Sequence, residues 1–195
     1  MASRTVAKAP GVPDTRRRLV DVALQLFTRH SFAGTSLQMI ADEMGITKAA
    51  VYHHFHTREE LLTAVVEPLR VQLVGIIETA ETLRTPHARA EHLLTGYVEL
   101  AVRNRALISV LSSDPSVIEM LRAHPELSGL VDRQIKLLAD VHPGPAGLVH
   151  AAVVFAGVAG AVRGELFDLP DEPLRQYILE AGRRVLGLRA PRRAP

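Results

Sequence analysis

The chain contains no cysteine and no tryptophan, and aromatic residues make up only 4% of its 195 positions. Without cysteine there is no disulfide framework, no thiolate metal site and no cysteine nucleophile, and a reducing compartment suits the protein. With so few rings, aliphatic side chains and alanine must fill the core. No stretch alternates apolar and polar residues for long enough to suggest a half-buried strand. Gly-rich phosphate loops and metal-ligand spacings are also missing, and the lone Ser, His and Asp residues form no catalytic constellation, so an enzyme is not expected. Residues 1–13 lack the apolar stretch of a secretory signal and read as a disordered arm.

What is present is a soluble-protein composition, 47% apolar and 23% charged, enough to bury a real core. Net charge is only +2 but unevenly spread. Residues 1–58 carry eight Lys and Arg against four acids, residues 59–182 carry ten against seventeen, and residues 183–195 carry five Arg and no acid. A basic head on an acidic body suits a protein that docks one end on a polyanion.

Apolar spacing is helical throughout. Val20, Ala23, Leu24 and Phe27 recur at i, i+3, i+4, i+7, as do Leu37, Ile40, Ala41 and Met44, then Leu62, Val65, Val66 and Leu69, and finally Leu174, Tyr177, Ile178 and Ala181. An all-α fold follows: a three-helix head and a body of about six helices. Asp14 can cap a first helix reaching about Arg29, and Ser36 a short second helix ending at Met44, with Gly45 in the left-handed position that stops it. Thr47 can cap a third helix to about Phe55. Thr57-Arg58-Glu59-Glu60 has the form of a capping box opening a long fourth helix, which Pro68 should kink. Thr85-Pro86, Asp114-Pro115 and Pro125 mark later starts. Residues 146–164 and 174–186 form the last two helices, with a break at residues 168–173 and a basic tail at 189–195. The domain boundaries expected are 14–56 for the head and 57–188 for the body.

Residues 146–162 hold 17 positions without formal charge, but include His150, Gly147, Gly157 and Gly160. A bilayer span needs about 20 apolar residues, so the run reads as a helix buried on both sides, by core and by a partner subunit. No membrane partner is expected, and the protein should be cytoplasmic.

Two short helices joined at Gly45, with small Ala41 at their crossing and Ile46, Val51 and Phe55 facing inward, have the geometry that lays a helix in a DNA major groove. Lys48 can reach guanine or phosphate, Ala49 and Ala50 let the helix approach closely, and Tyr52 can give a hydroxyl to phosphate. Ser36 and Thr47 sit at helix N-termini, which favour phosphate oxygens. Gln38 is a candidate base contact. His53, His54 and His56 cluster with no obvious acidic ligand beside them, so no metal is expected; His53 and His54 are better placed as backbone or base contacts, and His56 faces solvent.

These residues resemble the tetracycline-repressor-like (TetR) family from about Thr15 to Leu62. The similarity runs through Ala23-x-x-Leu26-Phe27, Gly34-Thr35-Ser36, Ile40-Ala41, Gly45-Ile46-Thr47-Lys48, Val51-Tyr52-His53-His54-Phe55 and Thr57-Arg58-Glu59-Glu60-Leu61. The resemblance implies a repressor that binds palindromic double-stranded operator DNA as a homodimer. It also implies a body that holds a small-molecule effector and dimerises through its last two helices. The family usually has a phosphate-binding Lys where this chain has Arg58, so Arg58 is expected to hold phosphate. Gly157, Gly160, Ala161, Tyr177 and Ala181 become the candidate dimer interface, although the small residues could equally fill a core. Tyr97, Arg103, His150 and Phe155 are candidate contacts for a small, mainly apolar ligand; no other cofactor is expected. The competing reading is a constitutive DNA binder or a helical protein-interaction module without a small-molecule switch.

Overall fold

A computed structural model describes residues 12–163 and 169–189, and among them every regular element is an α-helix. In chain order these are α1 (Val12–His30), α2 (Leu37–Met44), α3 (Lys48–Tyr52), α4 (Arg58–Thr82), α5 (Pro86–Arg103), α6 (Arg105–Ser113), α7 (Pro115–Ala123), α8 (Pro125–Ala139), α9 (Pro145–Val162) and α10 (Asp171–Leu186). The expected arm, apart from residues 12 and 13, and the basic tail beyond Arg189 lie outside the described residues, as do Gly164 and Asp168. The chain divides into two compact units, residues 1–65 and 66–195.

In the first unit α1 packs on α2 and α2 on α3. Of the positions the helical spacing picks out, Ala23, Phe27, Leu37, Ile40, Ala41 and Leu62 are buried while Val20, Leu24 and Met44 are half-buried; Leu19, Val51, Phe55 and Leu61 complete the interior. Phe27 and Phe32 meet edge to face, ring centres 5.2 Å apart, a geometry that aromatic quadrupoles favour. In the second unit α5, α8, α9 and α10 pack on one another, α6 lies against α9 and α5, and α7 bridges α6 and α8. Polar clamps tie these elements. Arg183 of α10 makes a two-pronged ion pair with Glu91 of α5, its Nε 2.9 and 3.1 Å from the two oxygens. Arg105 of α6 donates to Val162 O, to Leu169 O and to Asp171 Oδ1 at 3.2, 3.3 and 2.9 Å, holding the end of α9 near the start of α10.

Four boundaries differ from the sequence reading. Helix α1 starts at Val12 rather than after Asp14, so Pro13 occupies the first turn, where its missing N–H has no partner to lose. For the same reason α10 starts at Asp171, with Pro173 inside its first turn. Helix α3 ends at Tyr52 instead of reaching Phe55. The body has seven helices among the described residues, counting α4, because Asn104 separates α5 from α6. Its backbone leaves the helical region (φ −117°, ψ 35°) and its Nδ2 donates to Leu100 O at 2.7 Å. Such local bonding lets Asn compete with the helix ladder. Helix α4 runs unbroken through Pro68.

The two faces of α9 are unlike. Gly147, Ala151, Val154, Val158 and Val162 are buried, whereas Leu148, Val149 and Val153 are 52–59% exposed, and Tyr177 of α10 is 60% exposed. Gly157 and Gly160 have no neighbour within 4 Å of where a Cβ would stand, so neither mediates a crossing inside this chain. Close approaches between helices are elsewhere, at Gly96 of α5 against Ile76 of α4 and at Gly182 of α10 against Leu94 of α5. A Cβ on Gly182 of α10 would lie 2.8 Å from Leu94 Cδ1 of α5, and Leu94 is only 1% exposed, with little room to turn away. Gly182→Val is therefore expected to cost about 1–3 kcal/mol through overpacking, measured by urea unfolding of the full chain; an unchanged midpoint would show that α5 and α10 can separate freely.

Candidate nucleic-acid interface

Three backbone devices build the short helix pair. Ser36 is extended (φ −118°, ψ 158°) and its Oγ accepts the Met39 N–H at 3.2 Å, capping α2. Gly45 is left-handed (φ 64°); its N–H donates to Asp42 O at 3.1 Å and the next N–H, from Ile46, donates to Ala41 O at 3.0 Å. That pair of bonds is a Schellman motif, and glycine enters it without the steric cost a Cβ carries. Thr47 (φ −75°, ψ 151°) then caps α3, its Oγ1 accepting the Ala50 N–H at 3.2 Å. Beneath, Ala41, Val51 and Phe55 are at most 2% exposed, and the Arg16 guanidinium covers the Phe55 ring at 4.7 Å.

The outward face carries most of the candidate contacts. Lys48, Ala49, Tyr52 and His53 are exposed, and Ala50 and His54 half-buried. Lys48 Nζ rests 5.6 Å from the Tyr52 ring centre, a contact one helical turn long that holds the ammonium against α3. His53 and His54 rings meet edge to face at 5.2 Å. Ser36 and Thr47 present the exposed starts of α2 and α3. Two expected contacts have intramolecular partners instead of open faces. Gln38 Nε2 donates to Asp42 Oδ1 at 2.7 Å, which commits one of its two N–H bonds and fixes the direction of the amide. Arg58 Nη1 faces the carbonyls of Phe32, Ala33 and Thr35. The capping box at the start of α4 is also modified: Thr57 Oγ1 accepts the Glu60 N–H at 3.0 Å, but the Glu60 carboxylate accepts from His56 N–H at 2.8 Å, one residue earlier than the sequence pattern implies.

The candidate ligand residues fall in separate places. Tyr97 of α5 stacks on Phe155 of α9 with ring centres 5.3 Å apart and planes 8° from parallel; burial pushes the Tyr97 phenol above its ordinary range. His150 meets His142 edge to face at 5.3 Å. Arg103 lies instead on an open groove of about 470 Å³ between α4 and α5, with Gln72, Ile76, His92 and Glu99. The residue that sequence reasoning missed is Gln134 of α8. It is 1% exposed, its Oε1 has no hydrogen-bond partner among the described residues, and Nε2 makes only a 3.4 Å bond to Leu130 O. An amide in a polar-looking helix gives no sign that it will face the core. Of the candidate dimer residues, Gly157, Tyr177 and Ala181 are exposed and Gly160 and Ala161 half-buried. No group of three or more potential metal ligands occurs among the described residues.

Residues 19–65 match the model of the bacterial regulatory proteins, tetR family. The HTH-type transcriptional regulator AcrR of Shigella flexneri is 37% identical over 200 aligned positions, covering 91% of each chain. The HTH-type transcriptional regulator SrpR of Pseudomonas putida is 39% identical over 66 residues, which is 34% of this chain and only 30% of that protein's length. Among solved structures, the ketosteroid transcriptional regulator KstR2 of Mycobacterium tuberculosis superposes with a TM-score of 0.71 at 19% identity, covering 91% of this chain and 95% of that one, a likeness of fold. The caps supply their own test. Ser36→Ala and Thr47→Ala should each cost about 1 kcal/mol, the usual loss for a removed N-cap, read by thermal and urea unfolding; losses near zero would mean that the hydroxyls serve something other than α2 and α3.

Proposed function

The chain belongs to the tetR family of bacterial regulatory proteins, and we propose that it acts as a ligand-responsive repressor that binds a palindromic operator as a homodimer. The observation that carries the DNA-binding reading is the division of α3: Val51 is fully buried while Lys48, Ala49, Tyr52 and His53 are exposed on a helix held at both ends. Small Ala49 and Ala50 allow close approach to base edges and thymine methyls. Lys48, Tyr52, His53 and His54 supply polar contacts, and Ser36 and Thr47 set helix N-termini against phosphates.

A second copy of the chain is the proposed cover for the exposed face of α9. That helix is long and apolar enough to cross a membrane by composition, but its other face is packed against α5, α6, α8 and α10. Leu148, Val149, Val153 and Tyr177, beside the small Gly157, Gly160, Ala161 and Ala181, form the uncovered surface. A cytoplasmic dimer buries it, and the two heads then meet two half-sites about one helical turn of DNA apart. The effector reading draws on Gln134 Oε1 and His150 Nδ1, buried without partners among the described residues, and on the Tyr97–Phe155 stack. The unpartnered Gln134 Oε1 suits a small, mainly apolar molecule that brings a hydrogen-bond donor. By linkage, such an effector and the operator weaken each other's binding by the same factor.

The test begins with selection of duplexes from random DNA by the wild-type protein; enrichment of an inverted repeat is expected, and its absence would sink the repressor reading. On the selected site Lys48→Ala should lose about 1–3 kcal/mol and relax preference at one position if the lysine reads a base. Val153→Glu should shift sedimentation toward monomer and reduce operator binding steeply, because one head reaches only a half-site. A fully dimeric Val153→Glu protein would remove this face of α9 from the interface.

A further inference from the structure

Helix α4 begins with an arginine whose charge is turned into the protein. Arg58 Nη1 lies 2.9 Å from Thr35 O, 3.0 Å from Ala33 O and 3.1 Å from Phe32 O, so its two N–H bonds are shared among three carbonyls. The plane of the same guanidinium covers the Phe32 ring, its central carbon 5.1 Å from the ring centre. All three carbonyls belong to the turn between α1 and α2, beyond the last helical residue His30. That turn holds the one left-handed non-glycine residue among those described, Ser31 (φ 62°). Thr35 is tied at two points: its Oγ1 donates to Ser31 O at 2.8 Å while its carbonyl receives Arg58. Thr35 is 1% exposed, and the next residue is Ser36, the cap of α2.

We propose that Arg58 is a positioning residue for DNA binding: it fastens the first turn of α4 to the turn before α2, and so fixes where Ser36 and the first amides of α2 meet a phosphate, instead of contacting phosphate itself. The proposal rests on the DNA-binding reading above. Charge-assisted bonds to carbonyls are shorter and stronger than neutral ones. A guanidinium can donate in its plane and stack through its face at once, whereas a lysine ammonium supplies only the point charge. Swinging Arg58 out to a phosphate would take a charged donor away from three carbonyls, although Phe32 O keeps the Thr35 N–H at 3.3 Å, and would uncover the Phe32 ring, now 3% exposed. Arginine at this position therefore has a different task from the phosphate-binding lysine that the family resemblance implies.

The experiment uses the full chain and the duplex selected by the wild type, and compares Arg58→Ala, Arg58→Lys, Ser36→Ala and the Arg58→Ala/Ser36→Ala double variant across a salt series. The positioning role predicts that Arg58→Ala binds at least tenfold more weakly at one salt concentration with the slope of log affinity against log salt unchanged. It predicts that Arg58→Lys recovers less than half of that loss on a logarithmic scale. Because Arg58 acts through the start of α2, the double variant should lose less than the sum of the two single losses. A direct phosphate contact predicts the reverse: a slope shallower by about 0.9 in Arg58→Ala, full recovery with lysine, and additive losses, any of which overturns the proposal. If Arg58→Ala fails to fold by circular dichroism, the salt slope of Arg58→Gln and the cycle of Arg58→Lys with Ser36→Ala decide the matter by the same criteria. Wild-type protein that binds no duplex would overturn the DNA-binding reading and this proposal with it; a normal wild type with a shallower Arg58→Ala slope overturns the proposal alone.

Discussion

Short helices cannot leave their ends unpaired, and the DNA-binding head depends on how that constraint is met. Helix α2 has eight residues and α3 five, lengths at which intrinsic propensity does not sustain a helix in water. Nearly all their amides and carbonyls are end groups. Ser36, Gly45 and Thr47 each satisfy some of them within a stretch of twelve residues. Once these bonds are in place the outward side chains of α3 have a fixed platform. The same amides that need caps are the groups through which the proposed DNA contact reaches phosphate, so in that reading stability of the pair and its affinity for DNA draw on the same few positions.

The body solves a different problem. With almost no aromatic bulk, its helices approach closely through small residues, as Gly182 against Leu94 illustrates. Its directional order comes from a few polar clamps, Arg183 with Glu91 and Arg105 across α6, α9 and α10. The Arg183–Glu91 pair is partly buried, which spares it much of the screening that makes surface pairs weak, whereas Arg105 meets Asp171 at the surface and is partly buried only toward the carbonyls of Val162 and Leu169. What remains unsatisfied is informative in both senses. An apolar face on α9 asks for cover, and a buried amide oxygen on Gln134 asks for a donor. In the proposed reading both costs are removed by binding, of a second chain in one case and of a small molecule in the other.

Helix α9 takes part in both the interior of the body and its uncovered outer face. Its inward residues Val154 and Val158 belong to the body's interior, Phe155 carries the stack on Tyr97, and Leu148, Val149 and Val153 face outward. A ligand that shifted Phe155 would move a helix whose other side forms the proposed subunit contact. Packed helices respond to such a shift by changing between discrete arrangements rather than deforming smoothly.

Much was legible from sequence because it rests on local chemistry. The caps at Ser36 and Thr47, the left-handed stop at Gly45 and the proline-led starts of α5, α7 and α8 depend on a few adjacent residues, and the helical repeat of apolar positions named part of the core of the head, Ala23, Phe27, Leu37, Ile40 and Ala41, while Val20, Leu24 and Met44 are only half-buried. Asn104 escaped because one asparagine is as compatible with a helix as with a break until its side chain is seen to bond Leu100 O. Gln134 escaped because burial of a single amide is set by neighbours from other helices. Arg58 read as an open contact because a sequence shows charge and reach but not direction; 23 to 26 residues separate it from the carbonyls it holds, whereas the partner of Gln38 lies only four residues on, at a spacing helix geometry itself brings together. The sequence by itself thus determined which segments are helices, where most of them start and stop, and which face of α3 is free. Only the tertiary structure decided which polar groups are already spent on the protein's own backbone, because that depends on distances between residues far apart in the chain, which no local pattern encodes.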